Sequence, residues 1–171
     1  MDSQQAKTLA EFLIGDFEYE MHTTMRVLQA APSDRLDYKP DDKSKSALGL
    51  LRHITLEDEW FLNSIANGAF TPPPDDSDAC GITSGSDAAT RYQAQIPAAL
   101  SRVRGMSGEQ LTKVMDLFGI MQLPAVNFLG LALKHSIHHR GQLSAYLRAM
   151  GGKVPGIYGP SADTQQQQAA H

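Results

Sequence analysis

The chain has 171 residues, a formal charge of −4 and a pI near 5.8, a length that fits one domain with a proper core. Its basic residues are scattered (Arg91, Arg102, Arg104, Arg148), which argues against a nucleic-acid surface, since that needs clustered positive charge. The single cysteine, Cys80, excludes an internal disulfide framework; with a polar opening and no apolar run of roughly 18 residues, the expectation is a cytoplasmic protein with no membrane span.

A first helix is expected over about residues 3–30, where Leu9, Phe12, Leu13, Phe17, Met21, Met25 and Leu28 recur at three- and four-residue spacing. His22 lies on it and is expected to be a core or partly exposed histidine outside any site. Pro32, Pro40 and the charged run from Asp34 to Lys45 form a connection. A second amphipathic helix covers about residues 46–67, capped by Ser44 or Ser46 and stopped near Gly68. Leu50, Ile54, Phe61 and Ile65 form its apolar stripe, and His53 borders that stripe beside Glu57 and Trp60. A long loop follows, from Thr71-Pro72-Pro73-Pro74 to Ser86, with Cys80 as an incidental member.

A third helix is expected over about residues 87–104, with Pro97 as a kink point, then a short helical turn over 107–115. Residues 116–123 are mixed and read as irregular or weakly extended. Pro124 opens a fourth long helix that Gly151 ends, and Arg148 puts positive charge in its last turn. The domain is set at residues 1–163. The Gln/Ala-rich residues 164–171 are expected to be disordered, which leaves His171 outside any site.

The fourth helix carries the most informative run, His135-Ser136-Ile137-His138-His139-Arg140-Gly141-Gln142-Leu143. On a wheel at about 100° per residue, His139 falls among Phe128, Leu131, Ala132, Leu143, Tyr146 and Met150, with His135 and Gln142 close beside it and His138 at the rim. His135 and His139 stand one turn apart on the same face and can bind one divalent metal, or be two core histidines satisfied by hydrogen bonds. His53, on a neighbouring helix, is the third candidate. Three neutral imidazoles would leave an open coordination position, the mark of a reactive rather than a structural metal.

These motifs carry a resemblance. Leu36-Asp37-Tyr38-Lys39-Pro40, the His53 helix, the His-x-x-x-His-Arg-Gly-Gln-Leu run and the tail Gly151-Gly152-Lys153-Val154-Pro155-Gly156-Ile157-Tyr158-Gly159-Pro160-Ser161-Ala162-Asp163 together resemble the DinB family, which is grouped with DinB/YfiT-like metalloenzymes. The resemblance implies an all-α four-helix bundle, a homodimer, and a metal site of His53, His135 and His139. It implies a thiol-dependent transferase using a low-molecular-weight thiol, or a hydrolase, acting on a small-molecule substrate. The motifs do not choose between the two, and a non-catalytic metal-binding stress-response protein is the alternative.

Imidazole ligands suit zinc, nickel or iron, with zinc the first choice for abundance. Glu57 is a candidate fourth ligand, imidazole partner or general base, or else an ordinary solvated glutamate. Arg140 is read as holding an anionic group or pairing with a carboxylate at the bundle surface. Gln142 and Tyr146 share the histidine face, and Trp60 is read as core or dimer contact.

Overall fold

The computed structural model of the chain is described over residues 1–168. In chain order the helices are α1 (Ser3–Gln29), α2 (Ala47–Asn67), α3 (Gly85–Arg104), α4 (Gly108–Thr112), α5 (Ala125–Ala149) and α6 (Ala162–Gln168). The long α1, α2, α3 and α5 make the expected four-helix bundle. Their boundaries follow from local chemistry. The Asp2 carboxylate accepts from the Gln5 backbone N–H while the Gln5 side chain accepts from the Asp2 N–H, a reciprocal cap that starts α1. Ser46 rather than Ser44 caps α2, accepting from the Gly49 N–H at 3.1 Å. Ser84 caps α3, so that helix begins at Gly85, two residues before the expected start. A Cβ on Gly85 would lie 2.1 Å from the Leu28 carbonyl oxygen, so only glycine lets α3 start this close to the end of α1.

Helices α2 and α1 each pack against both α3 and α5, which places α1 and α2 diagonally across the bundle. The connection from Ala30 to Ser46 therefore crosses the bundle end. It docks through buried Leu36, whose carbonyl accepts from the Leu48 N–H at 2.9 Å.

Between α4 and α5 the chain forms a two-stranded antiparallel hairpin, β1 (Val114–Leu117) with β2 (Met121–Pro124), Leu117 opposite Met121. Its turn holds Phe118 and Gly119 at φ 53° and 73°, the left-handed pair such a tight turn demands. The helical turn expected to Met115 thus ends at Thr112, and the mixed stretch after it is paired strand. Strands of four residues are too short for alternation to stand out, and only Met115 on this hairpin is buried.

On α1 the side chains of Ala6, Ala10, Ile14, Phe17, Met21 and Leu28 are buried at three- and four-residue spacing, while Phe12 is 68% exposed and outside the stripe. Each buried Leu, Ile or Phe contributes roughly 1.5–3 kcal/mol. Polar groups also enter the interior: Glu20, Thr24, Asp58, Ser136 and Arg140 are buried, as is Tyr92. The face of α5 that meets the core runs through Leu129, Ala132, Leu133, Ser136, Arg140, Leu143 and Leu147. His139 lies on the shoulder of that face rather than at its middle, a rotation of about one residue from the wheel placement.

Beyond α5, Gly151 at φ 81° turns the chain back along the bundle. Arg26 donates to the Gly156 carbonyl at 3.2 Å, and the Asp163 carboxylate accepts from the Val154 N–H at 3.0 Å and from Arg148 at 2.9 Å. Residues 164–168, read from sequence as disordered, continue α6. Residues 169–171, His171 included, lie outside the described residues. No helix among the described residues is long and apolar enough to cross a membrane.

Candidate metal centre

His53 on α2 and His135 and His139 on α5 meet at the α2–α5 contact. One nitrogen from each ring falls into a group lying entirely within 4.8 Å. His53 Nε2 and His139 Nε2 are 3.1 Å apart, close to the roughly 3.3 Å that two imidazoles at about 2.0–2.1 Å impose around one tetrahedral ion. Ring centroids are 4.3 Å apart for His53 and His139, 4.4 Å for His135 and His139 and 5.0 Å for His53 and His135. The cluster is not sealed, since the His53 and His135 side chains keep 16% and 19% exposure. Neighbouring His138 is exposed, and so is His22 on α1.

The outward-facing nitrogens decide where the lone pairs go. His139 Nδ1 is 2.7 Å from Gln142 Oε1, an acceptor that requires the proton on Nδ1. His135 Nδ1 lies 3.7 Å from Asp58 Oδ1; both atoms are buried and neither has another partner. His53 Nδ1 lies 3.9 Å from Glu57 Oε1. The His139 Nδ1 is thus hydrogen-bonded, carboxylate oxygens are near the other two Nδ1 atoms, and the Nε2 lone pairs of His53 and His139 meet in a group that also takes in one nitrogen of His135. Lone pairs so converged repel unless a cation lies between them, and this is the arrangement metal-ligating histidines adopt. The residues present therefore fit a divalent metal.

Burial, then the neighbouring His139 and His135, push the His53 pKa down to about 3. Burial also lowers that of His139, against the hydrogen bond it donates to Gln142. Burial raises that of Glu57. His53 and His139 are therefore neutral near pH 7, the state a metal requires. The linkage has a definite sign. In the unfolded chain His53 titrates near 6.5 and in the folded one near 3, so between these values the unfolded chain binds more protons. The stability His53 contributes is present above pH 6.5 and is lost as pH falls toward 3. Glu57 acts oppositely, but His139 adds to His53. The metal-free protein should lose stability on acidification from pH 7 to pH 5, and a His53→Gln variant should lose less. Urea midpoints at the two pH values check this; parallel losses would contradict it.

A family model described as the DinB family matches residues 5–170. The chain belongs to the DinB family. Among curated DinB relatives, the uncharacterized protein YjoA of Bacillus subtilis (strain 168) is 30% identical over 142 residues, covering 81% of this chain and 89% of YjoA. Among solved structures, a DinB-like protein from Bacillus cereus superposes with a TM-score of 0.72 at 24% identity, over 86% of this chain and 97% of that one. YfiT from Bacillus subtilis, described as a probable metal-dependent hydrolase with an unusual four-helix bundle topology, has a TM-score of 0.67 at 16% identity, over 84% of this chain and 89% of its own. At such identities the likeness to these two structures establishes the fold.

Within this DinB chain the three expected ligands come together, and Gln142 joins them as a partner of His139. Arg140 departs from expectation. It is 1% exposed and points into the bundle, where it pairs with the Glu20 carboxylate and donates to Tyr158 Oη at 2.7 Å. It is thus a buried pairing residue and not a surface one. Tyr146 packs edge-on against Tyr38, 5.4 Å between centroids. Trp60 donates to the Thr71 carbonyl at 3.0 Å and borders a cavity of about 310 Å³ with Leu56, Glu59, Asn63 and Arg91. None of the three histidines lines that cavity, which lies apart from the candidate metal centre.

Sequence reasoning missed Asp58. A signal was present: the α2 stripe of Leu50, Ile54, Phe61 and Ile65 leaves a place one turn after Ile54, and Asp58 fills it with 0% exposure.

Proposed function

We propose that the chain is a metal-dependent enzyme in which His53, His135 and His139 hold one divalent ion, zinc being the first choice, with a coordination position open to a small-molecule substrate. The observation that carries this is that one ring nitrogen from each of the three histidines lies within 4.8 Å of the others, His53 Nε2 and His139 Nε2 being 3.1 Å apart. The ion would supply Lewis acidity, which turns water or a thiol into a nucleophile near neutral pH.

With water as that nucleophile the reaction is hydrolysis, the reading we adopt, and a carboxylate stands near enough to assist it. Glu57 stands one turn beyond His53 with its side chain 18% exposed, close to the centre and still reachable by solvent. Its carboxylate lies beside His53 Nδ1, on the outer side of that ring, from where it would take the nucleophile's proton through one intervening water, and burial raises its affinity for that proton. Gln142 holds the His139 ring.

The test is metal content of chelator-stripped and reloaded protein, followed by turnover of ester and amide panels beside low-molecular-weight thiols with electrophiles. About one metal per chain, lost in His53→Ala, is expected. Glu57→Gln should keep the metal and lower ester or amide turnover by about 10²–10⁴-fold. Turnover only with an added thiol would replace hydrolysis by thiol transfer. Metal binding without turnover in either panel would leave the non-catalytic reading.

A further inference from the structure

We propose that Asp58, held by Tyr92, is the positioning residue that fixes His135 for metal binding and supplies the centre's buried counter-charge. The proposal rests on the metal reading above. Asp58 belongs to α2, one turn and a residue past His53, but points into the bundle where His53 points toward α5 and the solvent. Its two oxygens meet different neighbours. Oδ2 accepts from the Tyr92 hydroxyl of α3 at 2.8 Å. Oδ1 has no hydrogen-bond partner and faces His135 Nδ1, itself buried and without a partner, at 3.7 Å. Tyr92 is fully buried and its hydroxyl also lies 3.4 Å from Ser136 Oγ, next to His135 on α5. Burial and the Asp58 charge push the phenol well above its ordinary range, so it stays a donor.

A carboxylate with 0% exposure and one oxygen unpartnered is costly, since burying charge without compensation opposes folding. Three neutral imidazoles around a divalent ion leave a positive charge that the ligands do not balance. The two costs offset each other if Asp58 faces the ligand. A proton on His135 Nδ1 directed at Asp58 leaves Nε2 free for the ion and makes it a better donor. Tyr92, fixed in the core by packing, keeps the carboxylate turned that way. Glu57 and Glu59, the neighbours of Asp58, do not share this place: Glu57 faces His53 and Glu59 pairs with Arg91 at 3.0 Å.

The substitution that tests this is Asp58→Asn, which keeps the shape. Its carbonyl oxygen would accept from Tyr92, and its amide N–H would then face His135 Nδ1 and favour the tautomer protonated on Nε2, which cannot ligate. Zinc affinity of the full chain, measured by competition with a chromophoric chelator, should fall about 10–100-fold. In the metal-free protein the urea midpoint should hold or rise, because a buried uncompensated charge is gone. Histidine ¹⁵N NMR of the metal-free protein should show the His135 proton moving from Nδ1 to Nε2. Tyr92→Phe should weaken zinc in the same direction by a smaller factor, and it serves also if Asp58→Asn fails to fold.

Wild-type affinity in folded Asp58→Asn or Tyr92→Phe overturns the proposal and leaves the metal site standing. So does an affinity loss that only follows a fall in metal-free stability with the His135 tautomer unmoved. A wild-type chain that binds no zinc overturns both.

Discussion

His139→Ala should lose zinc affinity by more than the roughly 10–100-fold that removal of an outer partner costs, while His138→Ala should stay near wild type. The two histidines are adjacent in sequence with ring centroids 4.8 Å apart, so the comparison holds composition, helix and neighbourhood nearly constant. Only direction differs. His139 Nε2 meets His53 Nε2 at 3.1 Å, while the His138 residue is exposed. His139→Ala also removes the group that Gln142 orients, and Gln142 is exposed enough for water to satisfy its amide, so the fold should survive. Competition titrations on both variants check this. Equal losses would mean that the ligand pair on α5 is not the one-turn pair.

The one-turn pair was legible in the sequence because helical geometry is rigid: residues four apart share a face whatever the tertiary surroundings. His53, at the border of an apolar stripe, reads by itself as an ordinary helix-face histidine and became a third candidate only beside the pair on the other helix. The rotation of α5 was less legible. A wheel centred on apolar residues puts Arg140 at the rim, about a quarter turn away, yet it is buried, because the Glu20 carboxylate on α1 accepts from its guanidinium. Asp58 shows the same difficulty from another side. It stands between Glu57 and Glu59, and what distinguishes it is a hydroxyl contributed by Tyr92, 34 residues away. Local rules place a side chain on a face; they do not identify the group waiting on the opposite helix. The hairpin escaped for lack of length, and the diagonal placement of α1 and α2 because periodicity says nothing about which helices become neighbours.

Arg140 gives the second large effect. Its guanidinium is 2% exposed and the Glu20 side chain 7%, so neither charge has water to fall back on. Arg140 also donates to the Tyr158 hydroxyl at 2.7 Å, tying the returning tail to the joint between α1 and α5. Arg140→Met keeps much of the side-chain length and removes the charge, which strands the Glu20 carboxylate in the core. Breaking such a pair by deleting one partner costs about 3–5 kcal/mol, a fall in Tm of roughly 6–20 °C for a chain of this size. Replacing both partners, Glu20→Met with Arg140→Met, leaves no orphaned charge. Apolar replacements of a buried pair are often neutral or stabilising, so the double variant should be more stable than either single one. A double-mutant cycle by urea unfolding measures the coupling. A single substitution that costs under about 1 kcal/mol would place the pair in the class of exposed ion pairs and contradict the burial. The candidate metal ligands make the comparison sharper. His139 precedes Arg140 but faces α2 while Arg140 faces α1, so the double variant should keep zinc affinity. One helix would then serve as structural clamp on one side and metal scaffold on the other.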